Sequence, residues 1–447
     1  MRTGFEGLVA RMNQVDAETE RAREAGVSLG KRPGRVRWTI CAMLFAATSI
    51  NYMDRQVIGL LKPTLQNNIG LTEVHYGYIV AAFQVAYAVG LVGAGRLVDR
   101  LGSRVGYSLF MGVWSLAGMA HALARTALGF GIARFFLGLG EAGNFPAAIK
   151  TVADWFPQSE RSLATGIFNS GANVGAIIAP AIIPWITLRF GWRAAFLTTG
   201  AFGGLWIPWW LKNYRKPSEH STLTRAELLH IYHDAGAQME PDIRWLKLLT
   251  YRQTWAFSIA KFLTDPIWWF YLFWLPSFFD SRFHLGLSHL GLPLIIVYNV
   301  SAIGSIAGGW LPALFRSLLL DAANARMCAM LICAGLVLPI FTAGSLNSEW
   351  AAIALLSLAA AAHQGWSANL FTIASDMFPR SAVGTVVGIG GMAGSVGGVL
   401  FSVSAGKILQ LTHSYVALFG ISASAYLISI AILHILAPGL KKVDFTT

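Results

Sequence analysis

Long apolar runs separated by short polar breaks set the pattern of this chain. Twelve runs are read, at about 38–61, 76–97, 105–125, 127–153, 162–187, 192–212, 252–280, 288–315, 323–345, 349–375, 382–410 and 414–437. Nearly all reach the roughly 20 residues that an α-helix needs to cross a bilayer. The runs are continuously apolar rather than alternating, which predicts helices and argues against a β-barrel. Glycine and proline inside several of them are tolerated in membrane helices. The fold class expected is an all-α polytopic membrane protein. Its longest polar interruption, Asn213 to Tyr251, divides six spans from six. The expected organisation is a cytoplasmic N-terminal segment 1–37, a six-helix half 38–212, a cytoplasmic connector 213–251, a second six-helix half 252–437 and a cytoplasmic tail 438–447. In the connector, Thr222-Leu223-Thr224-Arg225-Ala226-Glu227 has the look of a helix cap, and a short surface helix is predicted after it. Two six-span halves are the arrangement of a rocker transporter with its site at the midplane.

Composition narrows the class. The chain has 447 residues, 55% hydrophobic and 13% charged, with a mean hydropathy of +0.54. No soluble globular protein of this length is so apolar. The net charge of +12 does not require a nucleic-acid partner. The basic residues fall in alternate loops, with Arg96, Arg100, Arg104, Arg161, Lys212, Arg215, Lys216, Arg316, Arg326 and Arg380 on the side of the N-terminus. The opposite loops hold few, among them Lys62, Arg125 and Arg189. This bias places both termini in the cytoplasm. Cys41, Cys328 and Cys333 lie in apolar runs without metal-ligand spacing, and are expected reduced. The first 35 residues are polar, so no signal peptide is expected.

Charged side chains inside apolar runs carry the candidate chemistry. In Asn51-Tyr52-Met53-Asp54-Arg55-Gln56 an acid and a base sit well within the first span. Each costs about 2.5–3.5 kcal/mol at a membrane helix centre, so each needs a cavity, partner or ligand. Neighbours in sequence point about 100° apart and do not pair by facing one another. The pair reads either as a structural inter-helix salt bridge or as a substrate and ion site. In span four, Glu141 lies two turns from Arg134 on one face, among Gly138, Gly140, Ala142 and Gly143, which allow close helix packing. Glu141 reads either as a carboxyl kept neutral in the core or as a proton carrier, since desolvation favours the neutral form. Asn169 and Asn173 give span five amides on a glycine-rich face. In span seven, Lys261 and Asp265 are one turn apart, forming either an internal pair or a second cation for the polar end of a substrate. His363 reads as a hydrogen-bonded structural histidine or a proton relay. Trp206, Trp209 and Trp210 read as an interface belt.

The turn between spans two and three, Gly95-Arg96-Leu97-Val98-Asp99-Arg100-Leu101-Gly102-Ser103-Arg104, resembles the loop signature of the major facilitator superfamily. The matching loop of the second half, Gly309 to Arg316, lacks the acid. The resemblance implies a gating role for Asp99, Arg100 and Arg104. The 51–56 stretch, the Glu141 segment, Asp265-Pro266-Ile267-Trp268-Trp269-Phe270-Tyr271-Leu272-Phe273-Trp274-Leu275-Pro276 and Ala362-His363-Gln364-Gly365-Trp366-Ser367-Ala368-Asn369 resemble the anion:cation symporter family, and within it the bacterial hexuronate transporter branch. That family includes galactonate, sialic acid and vesicular glutamate carriers. The resemblance implies that Arg55 binds the substrate carboxylate, that Asp54 and Glu141 carry protons, and that Tyr87, or Gln84 one turn earlier, faces the substrate. Where the galactonate carriers have a glutamine, this chain has Ala172, which favours Asn169 or Asn173 for the sugar. Tyr52, Lys261, Trp268, Gln364, Trp366 and Asn369 complete the expected substrate-binding set, since sugar hydroxyls take amide and indole partners and aromatic faces cover a sugar ring.

The expected function is a proton-coupled symporter importing a sugar-acid anion, most simply glucuronate or galacturonate, in a bacterial inner membrane. Neutralising Asp54 is expected to release Arg55 for the substrate. The alternatives are a carrier of galactonate or another organic anion, and a proton-linked exporter, against which Arg55 argues. No phosphate loop, metal-ligand cluster or nucleophile–base pair suggests an enzyme. The expected partners are the small anion, protons and membrane lipid, with no metal, no cofactor beyond the proton gradient, no nucleic acid, and a monomeric state.

Overall fold

A computed structural model describes residues 34–232, 245–318 and 321–443. The N-terminal segment up to residue 33, the connector's middle and the end of the tail lie outside the described residues. All regular structure among the described residues is helical. Span one is Val36–Ile69, longer than the apolar run because Lys62, expected in a loop, is buried within the helix. Glu73–Ala120 carries spans two and three, which turn at Gly102, where φ is 75°. Only glycine takes up that backbone without strain. Span four is broken into Ala127–Glu141 and Asn144–Trp155; span five is Gln158–Phe190 and span six Trp192–Asn213. In the second half, spans seven to twelve are Arg252–Phe283, Gly291–Ser317, Ala322–Val337 with a 3-10 continuation Leu338–Ser345, Glu349–Met377, Arg380–Thr412 and Val416–Leu436.

Polar caps fix the ends. Thr72, Thr126, Asp321 and Ser348 each accept a backbone N–H from the first turn of spans two, four, nine and ten, satisfying one of the donors a helix start leaves free. The helices long and apolar enough to cross a membrane by composition alone are Glu73–Leu123, Leu163–Phe190, Gly291–Ser317, Ala322–Ser345, Ala382–Thr412 and Val416–Leu436. Spans one, four, six, seven and ten are not among them: span four is broken into two short helices, span one carries Asp54 and Arg55 in its middle, and span seven carries Lys261 and Asp265. Those charges face protein, as the cost of exposing them to lipid requires.

The halves meet at the ends remote from the connector, here called distal. A Cβ on Gly59 would stand 2.9 Å from the Leu272 carbonyl oxygen, and one on Gly77 would stand 2.7 Å from that of Ser402. Gly406 approaches Glu73 in the same way. Spans one and seven, and two and eleven, are therefore in backbone contact, which small residues permit. Tyr76 Oη donates to the Phe273 carbonyl at 2.8 Å, and Ser402 Oγ to Gln84 Oε1 at 2.9 Å. Lys62 pairs with Glu73 at 2.7 Å on the same side.

On the proximal side, the connector docks on the first half. Thr224 Oγ1 caps helix Arg225–Tyr232 by accepting from Glu227 N at 3.2 Å, as the sequence pattern anticipated. The tryptophans of span six do not form the expected belt. Trp206 and Trp210 are buried, donating to the carbonyls of Met43 and Arg104, and only Trp209 faces outward. The indole N–H groups serve as inter-helix hydrogen bonds instead.

Candidate substrate and proton site

Arg55 lies at the seam between the halves and is 2% exposed. Four rings enclose its guanidinium. The centroids of Tyr52 and Tyr87 are each 4.7 Å away, Trp269 5.3 Å and Phe83 5.4 Å. Three of the rings belong to spans one and two, while Trp269 reaches across from span seven. Each such contact contributes about 0.5–2 kcal/mol to holding a cation. Nε donates to Glu141 in a short, buried ion pair. Among the described residues Nη2 has no hydrogen-bond partner, and neither has Glu141 Oε1.

The glycines of span four explain how Glu141 arrives there. A Cβ on Gly138 would strike the Phe83 carbonyl, one on Gly140 would lie 2.5 Å from Trp114 N, and one on Gly143 would strike the Phe110 ring. Only hydrogen at these positions lets span four press onto spans two and three. The helix breaks directly after Glu141, at Ala142–Gly143. Arg134, two turns earlier, backs the pair: its Nη2 donates to the Arg55 carbonyl at 2.6 Å.

Asp54 is 3% exposed and faces Thr199 of span six, without a hydrogen bond of regular geometry to either oxygen among the described residues. The carboxylate that holds Arg55 is thus Glu141. The expectation that neutralising Asp54 releases Arg55 is corrected on this point, since the roughly 100° between neighbouring side chains turns Asp54 away from the guanidinium. Asn51 and Gln56 are equally buried, and their amides lack partners among the described residues.

Tyr52 packs against Gly175 of span five. Tyr87 stacks on Phe83 at 5.9 Å. Gln84, the alternative to Tyr87, accepts from Ser402 in the distal seam and does not join the rings around Arg55. Asn169 is exposed and Asn173 half-buried on span five; neither contacts Arg55 in a hydrogen bond.

In the second half, Lys261 pairs with Asp265 at 2.8 Å and lies 4.2 Å from the Phe371 ring centroid. Trp268 stacks on His363 at 5.5 Å, and His363 Nδ1 lies 2.6 Å from Tyr426 Oη. Trp366 is fully buried edge-on to Tyr426. Asn369 donates to the carbonyls of Gly308 and Gly365 at 2.7 and 2.8 Å, and accepts from Arg326 at 3.4 Å. Its amide clamps span ten to span eight, where Gly308 and Gly365 touch backbone to backbone. Gln364 is half-buried.

The structure therefore gathers Tyr52, Arg55, Tyr87 and Glu141, and sets Trp366 and Asn369 among helix contacts. Trp269, Phe83 and Arg134 belong to the constellation and were missed as site residues. The one available signal for Trp269 was its place in the Trp268-Trp269 pair. In the spans two–three turn, Asp99 pairs with Lys150 at 2.6 Å and Arg104 Nη2 donates to the Leu211 carbonyl at 2.7 Å. Arg100 is exposed. Lys150, at the proximal end of span four, was not anticipated.

Comparison with known proteins agrees with this architecture. The chain is 31% identical over 393 residues to a hexuronate transporter of Escherichia coli (strain K12), covering 87% of this chain and 91% of that one. It is 31% identical over 331 residues to a galacturonate transporter of Dickeya chrysanthemi, covering 73% and 96%. A crystal structure of a D-xylose–proton symporter superposes with a TM-score of 0.73 at 15% identity, covering 91% of this chain and 99% of that one. Residues 44–402 match the family profile, and the chain belongs to the Major Facilitator Superfamily as a twelve-helix membrane transporter, not an enzyme.

Proposed function

We propose that this protein is a proton-coupled symporter that imports a hexuronate, glucuronate or galacturonate, across a bacterial inner membrane. The observation that carries the reading is the Arg55 guanidinium, enclosed by four rings, with Nε held by Glu141 and Nη2 free. Nε and Nη2 lie on one edge of the guanidinium, the fork that grips a carboxylate through two parallel bonds. A proton on Glu141 weakens its hold on Nε and opens that fork to the substrate. The rings of Tyr52, Tyr87 and Trp269 are the residue type that covers the apolar faces of a sugar ring. Asp54, buried without a regular hydrogen bond, is the second proton carrier in this reading. The relatives named for hexuronate and galacturonate transport support the substrate class.

The basic loops on the proximal side argue that this side, with both termini, is cytoplasmic. The distal contacts then describe a state closed to the outside and suited to release. Two protons per monoanion would carry one net charge inward, and a 100 mV interior-negative potential would add about 2.3 kcal/mol of drive. The test uses purified protein in proteoliposomes with an imposed inward proton gradient and radiolabelled glucuronate. Accumulation that a protonophore abolishes, and that galacturonate competes away, is expected. Gradient-independent equilibration would remove proton coupling, and neither uptake nor binding of hexuronates would remove the substrate assignment.

A further inference from the structure

A cavity of about 1020 Å³ lies at the proximal face of the first half, apart from the Arg55 site. The spans two–three turn, the ends of spans four and five and the connector enclose it. Its wall holds six cations, Arg100, Arg104, Lys150, Arg161, Arg215 and Lys216, against the acids Asp99, Asp154 and Glu219. Lys150 is engaged with Asp99. Three of the arginines are fastened to neutral groups: Arg104 and Arg215 donate to the Leu211 carbonyl, and Arg161 to the carbonyls of Phe156 and Ala153. Those bonds fix the guanidinium groups in place without a carboxylate hydrogen-bonded to them among the described residues; Asp154 faces Lys150, Lys216 and Arg161 electrostatically. Arg104 Nε is buried without a hydrogen-bond partner among the described residues. The side chains of Arg100 and Lys216 make no hydrogen bond or close ion pair among the described residues, although Lys216 lies within electrostatic reach of Asp154. Tyr232, 37% exposed, offers a ring on the same wall.

We propose that this cavity binds a phosphate-bearing anion of nucleotide size from the cytoplasmic side, bridging the spans two–three turn to the connector. Three excess positive charges, arginines immobilised in advance and a stacking ring are the donor set such a ligand takes. The volume lies at the upper end of small-molecule sites and far exceeds what one inorganic phosphate fills. The same chemistry is offered by the headgroup of an anionic lipid at the cytoplasmic surface, and the experiment separates the two sources.

The full-length protein is reconstituted in nanodiscs of phosphatidylcholine and titrated with ATP in magnesium-free buffer by calorimetry. Lys216→Gln and Arg100→Gln, both at exposed positions, serve as the site variants. Lys212→Gln, a nearby basic residue outside the cavity wall, is the control. Saturable binding is expected, weakened about tenfold or more by each site variant, unchanged by the control and weakened by salt. Nanodiscs containing phosphatidylglycerol form the second arm. If that lipid displaces ATP from the wild type and binds the site variants less, the source is the headgroup and the site stands. If ATP binds equally to wild type and site variants, or if neither ATP nor the anionic lipid distinguishes them, the proposal is overturned.

Discussion

Replacing Arg55 by Lys keeps the charge but removes the fork, and this separates a carboxylate clamp from a simple counter-ion. One charge-assisted hydrogen bond is worth about 1.5–3 kcal/mol. On the proposed mechanism, Arg55→Lys lowers uptake kcat/KM by roughly 10–100-fold, whereas an ion-pair role would leave it within a few-fold. Glu141→Gln tests the proton assignment differently. Its side chain cannot titrate, so counterflow exchange should persist while gradient-driven accumulation disappears and the pH dependence of exchange flattens. Trp269→Ala should raise KM about tenfold, close to one lost cation–π contact, and Trp268→Ala should act on folding through His363. Arg55 and Glu141 were legible because charges inside apolar runs are conspicuous. Rotational register was not. Trp268 and Trp269 share a motif, yet the roughly 100° between them sends one to His363 and the other to Arg55. Asn369 shows the same limit, since an amide suited to a hydroxyl is equally suited to two backbone carbonyls.

At the scale of helices, the distal seam rests on atoms the glycines leave out. A valine at Gly77 would drive its Cβ to 2.7 Å from the Ser402 carbonyl, and one at Gly406 would do the same at Glu73. Neither clash exists once spans two and eleven separate. Gly77→Val should therefore shift the population toward the state open on the distal side. Single cysteines placed along the distal part of span one should react faster with an impermeant thiol reagent, while proximal cysteines become protected. Unchanged labelling on both sides would mean the seam is not what holds this state. The sequence told which runs cross the membrane. It did not tell which ends touch, because glycine in a membrane helix fits either a kink or a close approach.

The whole molecule adds a level that no span contains, the docking of the connector onto the first half. Glu227 is fully buried and accepts from the backbone N–H groups of Val36 and Arg37 and from Arg37 Nη1. A residue of the connector thereby caps span one from 190 positions away. The capping pattern around Thr224 was readable locally, but this partner was not, since nothing in a local pattern encodes so distant a pairing. Glu227→Ala should cost about 2–3 kcal/mol, the loss of a cap plus a charged hydrogen bond, seen as a lower thermal midpoint and faster cleavage of the connector. Arg37 is also gripped by Glu160, at the rim ahead of the apolar run of span five, at 2.8 Å, and His230 lies 2.9 Å from the same carboxylate. The hydrogen bond from Arg37, opposed by burial and aided by His230, holds the Glu160 carboxyl below its ordinary value of 4.5. A lowered folded value stabilises the charged form, so its contribution is complete above the ordinary value and is lost as pH falls through the lower one. Protease protection of the connector should therefore hold from neutral pH down to about pH 4.5 and fail below it. Glu160→Gln should start from weaker protection and lose less of it on acidification. A wild-type acid limb identical to that of Glu160→Gln would show that the connector is held by Glu227 alone.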